Sequence, residues 1–252
     1  MSHPERGSGL IYRVFVPTNG TLSANSKMAI RIGTWHVTEN RSKWNKILKE
    51  ANLDVCGLCK TDLQKIKWNG RGKFVRARER GKKESVGIVI GEACTKIDEG
   101  RKGPGIVWAR LEKVGRRWII VCAHAPTKKT DEFWRHLDHV LDIFRSTRKY
   151  KDDIVILVGT LNALVGNDMV QMIRADGCRV DIVGPYGGSA ENENRQKLLQ
   201  TCFSHRLQVM HTFFEQQRLC QALICTDWQI RKNVKAIGVG PADHLMQAEI
   251  MM

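Results

Sequence analysis

Residues 154–158, Ile-Val-Ile-Leu-Val, stand together without a polar residue between them. An unalternated, β-branched run of this length reads as a strand buried on both faces of a layered α/β domain. Gly159 ends the run and a polar loop opens at Thr160. Loops leaving a central strand are where such proteins usually carry chemistry. Similar runs at 53–58, 86–90, 106–111 and 118–122 predict further strands, with turns at Gly103-Pro104-Gly105 and Gly115-Arg116-Arg117. Ala29, Ile30 and Ile32 suggest a strand ahead of these, and residues 208–214 one after them. The period then changes in two places. Phe133, Trp134, Leu137, Val140, Leu141 and Phe144 fall on one face of a helix over 131–144 whose other face is charged. Leu198, Leu199, Cys202 and Phe203 do the same for a helix opening at Asn192. Ser42 offers a cap for a helix carrying Trp44, Ile47, Leu48 and Ala51, and 169–175 fits a short helix. Residues 1–27, rich in Ser, Gly, Asn and Pro, read as a flexible leader, with a short edge strand at 10–16 and the domain proper spanning 28–252. Strands interleaved with amphipathic helices give a layered α/β fold.

At 252 residues the chain has room for one large domain or two small ones, and its apolar share supports a sizeable core. Charge adds more. A formal net charge of +15 spread along the chain points to an anionic partner, nucleic acid first. The segment 65–83 concentrates this charge around Trp68 and Phe74. It suits a solvated loop and hairpin, and equally a stacking, phosphate-facing surface with Lys67, Arg71, Lys73 and Arg76 as contacts. No apolar run is long enough to span a membrane, and the amino terminus lacks the apolar stretch of a signal peptide. The eight cysteines therefore read as reduced thiols of a nuclear or cytoplasmic protein. Cys56 and Cys59 have CxxC spacing, but no second pair at zinc spacing follows, so no metal site is assigned.

The strand end Val158-Gly159-Thr160-Leu161-Asn162-Ala163 resembles the Gly-Asp-Phe-Asn-Ala strand end of the endonuclease/exonuclease/phosphatase superfamily. More narrowly it is similar to endonuclease domains of RTE-type LINE retrotransposons and the craniofacial-development-protein-like genes derived from them. Other segments follow in family order: Gly33-Thr34-Trp35-His36, Gly57-Leu58-Cys59-Lys60, His124-Ala125-Pro126-Thr127, Val183-Gly184-Pro185-Tyr186-Gly187 and Ala242-Asp243-His244. The resemblance implies a two-sheet sandwich flanked by helices, of the DNase I-like four-layer kind, and an ancestral Mg²⁺-dependent phosphodiesterase.

It also implies roles, and most of those positions are changed. The family's first-loop Asn falls at His36, its metal-holding Glu at Lys60, its Tyr at His124 and its water-handling Asp at Thr160. A further Asp falls at Leu223. Asn162, and the Asp243–His244 pair that contacts phosphate, are retained. An ammonium at residue 60 cannot ligate Mg²⁺, whose ligands are oxygens. His36, His124 and His244 are ligand types of a transition-metal set, but drift explains each equally well. The sequence therefore reads as a degenerate, LINE-derived endonuclease-like protein that binds DNA without cleaving it. No cofactor is expected, and Mg²⁺ would serve an active form. The alternatives are a residually active Mg²⁺-dependent endonuclease using Asn162, Asp243 and His244, and a domesticated protein-interaction module.

Overall fold

The computed structural model describes residues 8–15, 29–36, 53–61, 73–77, 85–103, 105–128, 130–166, 169–173, 179–186, 192–213, 223–227, 234–235 and 245–249. Two sheets lie face to face. The first contains β1 (Ser8–Phe15), β2 (Ala29–His36), β3 (Val55–Thr61), β4 (Lys73–Ala77), β5 (Ser85–Ile90), β14 (Val234–Lys235) and β15 (Leu245–Glu249). Its order is β14, β1, β2, β3, β5, β4, with β15 also paired to β1. The second contains β6 (Thr95–Lys102), β7 (Ile106–Lys113), β8 (Arg116–His124), β9 (Ile154–Thr160), β10 (Val170–Ile173), β11 (Arg179–Val183), β12 (Leu207–Val209) and β13 (Leu223–Asp227). Its order is β10, β11, β12, β13, β9, β8, β7, β6.

The run at 154–158 forms the middle of β9, where Val155 to Val158 are all buried. β9 needs apolar residues on both faces because the first sheet covers one side and helices the other. Ile156 and Val158 pack with Ile30, Ile32 and Ile88 between the sheets. Val155 and Leu157 pack with Trp134, Leu137 and Leu198 beneath α1 (Asp131–Ser146) and α2 (Glu193–Ser204). All six apolar residues predicted for the inner face of α1 are buried. The sheets approach closely at Gly57, where a Cβ would lie 2.6 Å from Val158 Cγ2 and 3.0 Å from Cys122 Sγ.

The structure corrects several expectations. The strand near the amino end is not an edge: β1 pairs with β2 on one side and with β14 and β15 on the other. Residues 170–173 form strand β10 in place of a helix; Val-Gln-Met-Ile is too short for periodicity to decide, and pairing with β11 does so. Strand β6 was not predicted, because its edge position leaves every other residue exposed and its sequence highly charged. Phe203 does not face inward but is 50% exposed, although Leu198 and Cys202 are buried as expected. The strand at 208–214 is shorter, since a 3₁₀ turn takes over at Met210–Phe213. The helix expected after Ser42 lies outside the described residues.

Candidate functional site

Register places the strand ends that bear the altered family positions at one rim of the sandwich. In the second sheet His124, the last residue of β8, pairs with Thr160, the last of β9. Leu223, the first residue of β13, pairs with Gly159 from the other side. In the first sheet His36 pairs with Cys59, one residue before Lys60. The two rims coincide, because Cys59 Sγ lies 3.5 Å from the Ala123 carbonyl and 3.9 Å from Cys122 Sγ. The backbone thus brings residues 36, 60, 124, 160 and 223 to a single end. β15 starts at that end too, with Leu245 opposite Gly9 and Ser8 opposite His36. Asp243 and His244 lie outside the described residues.

Hydrogen bonds fix the loops beyond this rim. The Ala125 N–H donates to the Thr160 carbonyl at 2.9 Å, extending the β8–β9 pairing by one step. Asn162, with φ of 48°, turns its amide back so that Nδ2 donates to the Ala125 carbonyl at 2.5 Å. An Asn tolerates this left-handed conformation better than most residues. Asn192 caps α2, accepting from the Arg195 N–H and the Leu164 N–H, while its own Nδ2 donates to the Asn162 carbonyl at 2.7 Å. Asn194 is buried; its Oδ1 accepts from Trp134 Nε1 at 3.2 Å and its Nδ2 donates to the Asn162 carbonyl at 3.2 Å. Sequence reasoning found the helix start at Asn192 but missed the knot of three asparagines and a tryptophan. The available signal was a second Asn one helical step inside an amphipathic helix, where it is helix-neutral at best and needs another reason to be there.

Hard divalent ions take carboxylate oxygens; at the strand ends of this rim stand Lys60, Thr160 and Leu223, none of which supplies one, and Asp243 lies outside the described residues. Thr160 is 0% exposed, enclosed in the sheet. The amino group of the retained Asn162 amide is already engaged. Among the described residues no cluster of three His, Cys, Asp or Glu side chains is able to hold a metal. Nor are the nearby thiols poised for nucleophilic work, since burial raises the pKa values of Cys56 and Cys122 well above the ordinary thiol range. Two of the four basic contacts proposed from sequence, Lys67 and Arg71, lie outside the described residues. Lys73 and Arg76 are both exposed on β4. Their registers differ: Arg76 sits opposite Gly87, toward the rim, whereas Lys73 sits opposite Ile90 at the far end of the sheet.

No protein-family model matches the chain. Craniofacial development protein 2 of Bos taurus is 23% identical over 204 residues, covering 73% of this chain and 31% of that protein. The Tragulus javanicus protein of the same name is likewise 23% identical, with 73% and 32% covered. The chain thus spans about a third of the length of these curated relatives. Among solved structures, the endonuclease domain of TRAS1, a telomere-specific non-LTR retrotransposon, superposes with a TM-score of 0.54 at 8% identity, covering 91% of this chain and 88% of that one. A conserved protein of unknown function from Enterococcus faecalis V583 gives a TM-score of 0.50 at 11% identity, covering 81% and 88%. At these identities the structural likeness speaks to the fold. Two facing sheets with outer helices, together with these likenesses, give the chain the DNase I-like fold that the TRAS1 endonuclease domain has.

Proposed function

We propose that the chain is a retrotransposon-derived, endonuclease-like protein that binds nucleic acid, DNA in the first place, without cleaving it. The observation that carries this reading is the rim itself. Lys60, His124, Thr160 and Leu223 stand where strands of both sheets end, and Thr160 is wholly enclosed. Loss of the carboxylates that hold metal and position water should cost on the order of 10³-fold or more in rate, because such groups act as a unit. The formal net charge of +15 remains suited to phosphates. Its contribution is release of condensed counterions, which needs no catalytic group.

Two assays test the reading together. Duplex affinity, followed by fluorescence anisotropy, should fall steeply between about 50 and 200 mM salt. Supercoiled plasmid with millimolar Mg²⁺ should stay intact. The double variant Lys60→Glu/Thr160→Asp should restore feeble nicking at most, since misplacement by about 1 Å already costs about 10²-fold. Robust nicking by the unmodified chain, abolished by EDTA and by His244→Ala, would replace this proposal with a Mg²⁺-dependent endonuclease. Absence of any nucleic-acid binding at low salt would favour a protein-interaction module.

A further inference from the structure

Around the enclosed Thr160, the rim of the second sheet has two unlike flanks. On one side β6 ends in Arg101 and Lys102, and the loop after β8 carries Lys128. Lys102 is opposite Ile106, and Ile106 is opposite Ala123, so these cations share the rim of His124. Arg101 and Lys128 are exposed, Lys102 is half-buried, and none of the three is in an ion pair among the described residues. Of the nearby acids, Glu99 pairs with Lys96 and Asp131 with Lys197, while Glu132 is exposed, 4.0 Å from His136.

The other flank is apolar. Leu164 in the loop after β9 is 48% exposed, Met169 just before β10 is 60% exposed, and Tyr186 just after β11 is 46% exposed. Val170 pairs with Val183, and Val183 with Val209, which runs alongside β9 through β13; all three therefore lie at the Thr160 end. Two of them are held firmly by their backbones. Leu164 N–H donates to Asn192 Oδ1 at 3.0 Å, and Tyr186 N–H donates to the Thr212 carbonyl at 2.9 Å. Gly184, whose N–H donates to Thr212 Oγ1, packs so tightly that a Cβ would meet the Thr212 carbonyl at 2.4 Å. With strands about 4.8 Å apart, β6 and β11 each stand three steps, about 14 Å, from β9.

An exposed phenol ring on a hydrogen-bonded backbone and two aliphatic side chains on a strongly basic protein match the flat, apolar faces of nucleobases, and the cations across the rim match phosphates. Bases paired inside a duplex do not offer their faces. From this division, and resting on the reading of the chain as a nucleic-acid binder, we propose that the rim takes single-stranded nucleic acid, or a strand with unstacked bases, which lie on Tyr186, Leu164 and Met169 while the backbone tracks Arg101, Lys102 and Lys128. Stacking on an aromatic tolerates any sequence, because every base has a π-face.

The probes are a fluorescent single-stranded DNA 15-mer, the RNA of the same sequence, and the corresponding blunt duplex, measured with the full chain in identical salt series, so that affinities are compared at matched salt and slopes are read across it. Single strands should bind more tightly than the duplex. Tyr186→Ala should weaken them at least about fivefold while changing duplex affinity little, and Tyr186→Phe should restore binding. Arg101→Ala with Lys128→Ala should reduce the salt slope for both forms. Ile173→Ser and Phe203→Ser, equally exposed apolar residues away from this rim, serve as controls for general stickiness and should leave affinity unchanged. The DNA and RNA arms show which sugar is preferred. Equal affinity for duplex and single strand with no effect of Tyr186→Ala overturns this inference but leaves nucleic-acid binding standing. No binding to any probe overturns both. A Tyr186→Ala effect matched by the two control variants assigns the surface to nonspecific apolar contact and likewise overturns it.

Discussion

Asn194→Ala is the substitution whose cost the structure sets most directly. Asn194 and Trp134 are both buried, and Asn194 Oδ1 accepts from the indole N–H at 3.2 Å. Removing it leaves a buried donor without that partner, at about 1–3 kcal/mol. The same change deletes donation to the Asn162 carbonyl at 3.2 Å and the long contact with the Pro126 carbonyl at 3.5 Å. The Asn162 carbonyl still accepts from Asn192 at 2.7 Å, so this second loss belongs at the low end, about 0.5–1 kcal/mol. Together they give about 1.5–4 kcal/mol. Equilibrium urea unfolding followed by far-ultraviolet circular dichroism measures it. Trp134→Phe removes the donor instead of the acceptor, so a double-mutant cycle with Asn194→Ala should show about 1 kcal/mol of coupling or more. Asn194→Asp keeps an acceptor for the indole but turns a carboxylate oxygen toward two carbonyls, and should also destabilise. If Asn194→Ala stays within about 0.5 kcal/mol of the parent, or the coupling is zero, the knot does not hold the rim loops as described.

Other expectations concern the core around the site. Gly159 has φ of 138°, and a Cβ there would lie 1.9 Å from the Ala123 carbonyl, so Gly159→Ala should cost more than about 4 kcal/mol and show as insoluble protein on expression. The buried Arg110–Asp153 pair, at 2.6 and 3.1 Å, should lose about 3–5 kcal/mol in Asp153→Asn, whereas Arg110→Met with Asp153→Leu should cost far less in the same urea titration. Burial and, after it, the charge of Asp54 push the Cys94 thiol up from 9.0 to about 12. The unfolded chain therefore releases that proton first, and the thiol's contribution to stability is present below pH 9 and lost as pH rises toward 12. Unfolding midpoints between pH 8 and 10.5 in reducing buffer should decline less in Cys94→Ala than in the parent; parallel declines would refute the assignment.

Where a segment buries its own periodic face, the sequence read true. The apolar stripe of α1 and the unbroken run in β9 owe their burial to neighbours that any layered α/β protein supplies. Where partner choice decides, the pattern was silent. Thr95–Lys102 is a strand because it completes an edge beside β7, and Val170–Ile173 because β11 lies next to it. At the rim, a Lys at residue 60 and a Thr at residue 160 are visible in the letters alone, whereas the placement of Leu223 beside Gly159 is a matter of strand register. The partners of Asn194 were invisible for a related reason. Trp134, Pro126 and Asn162 are at least thirty residues away, and no local rule anticipates a hydrogen bond across that separation.

The pairing of β1 with β15 has a consequence for how the protein is made. Gly9 to Tyr12 run parallel to Leu245 to Ala248, from opposite ends of the chain. Until the ribosome has delivered residues 234–248, β1 is limited to its contact with β2 on one side, and its other backbone edge stays open to pairing with other molecules. Contacts so distant in sequence also slow folding. An expression fragment trimmed at residue 28 would leave β14 and β15 without the strand they share, and should aggregate more readily than one that keeps residues 8–15.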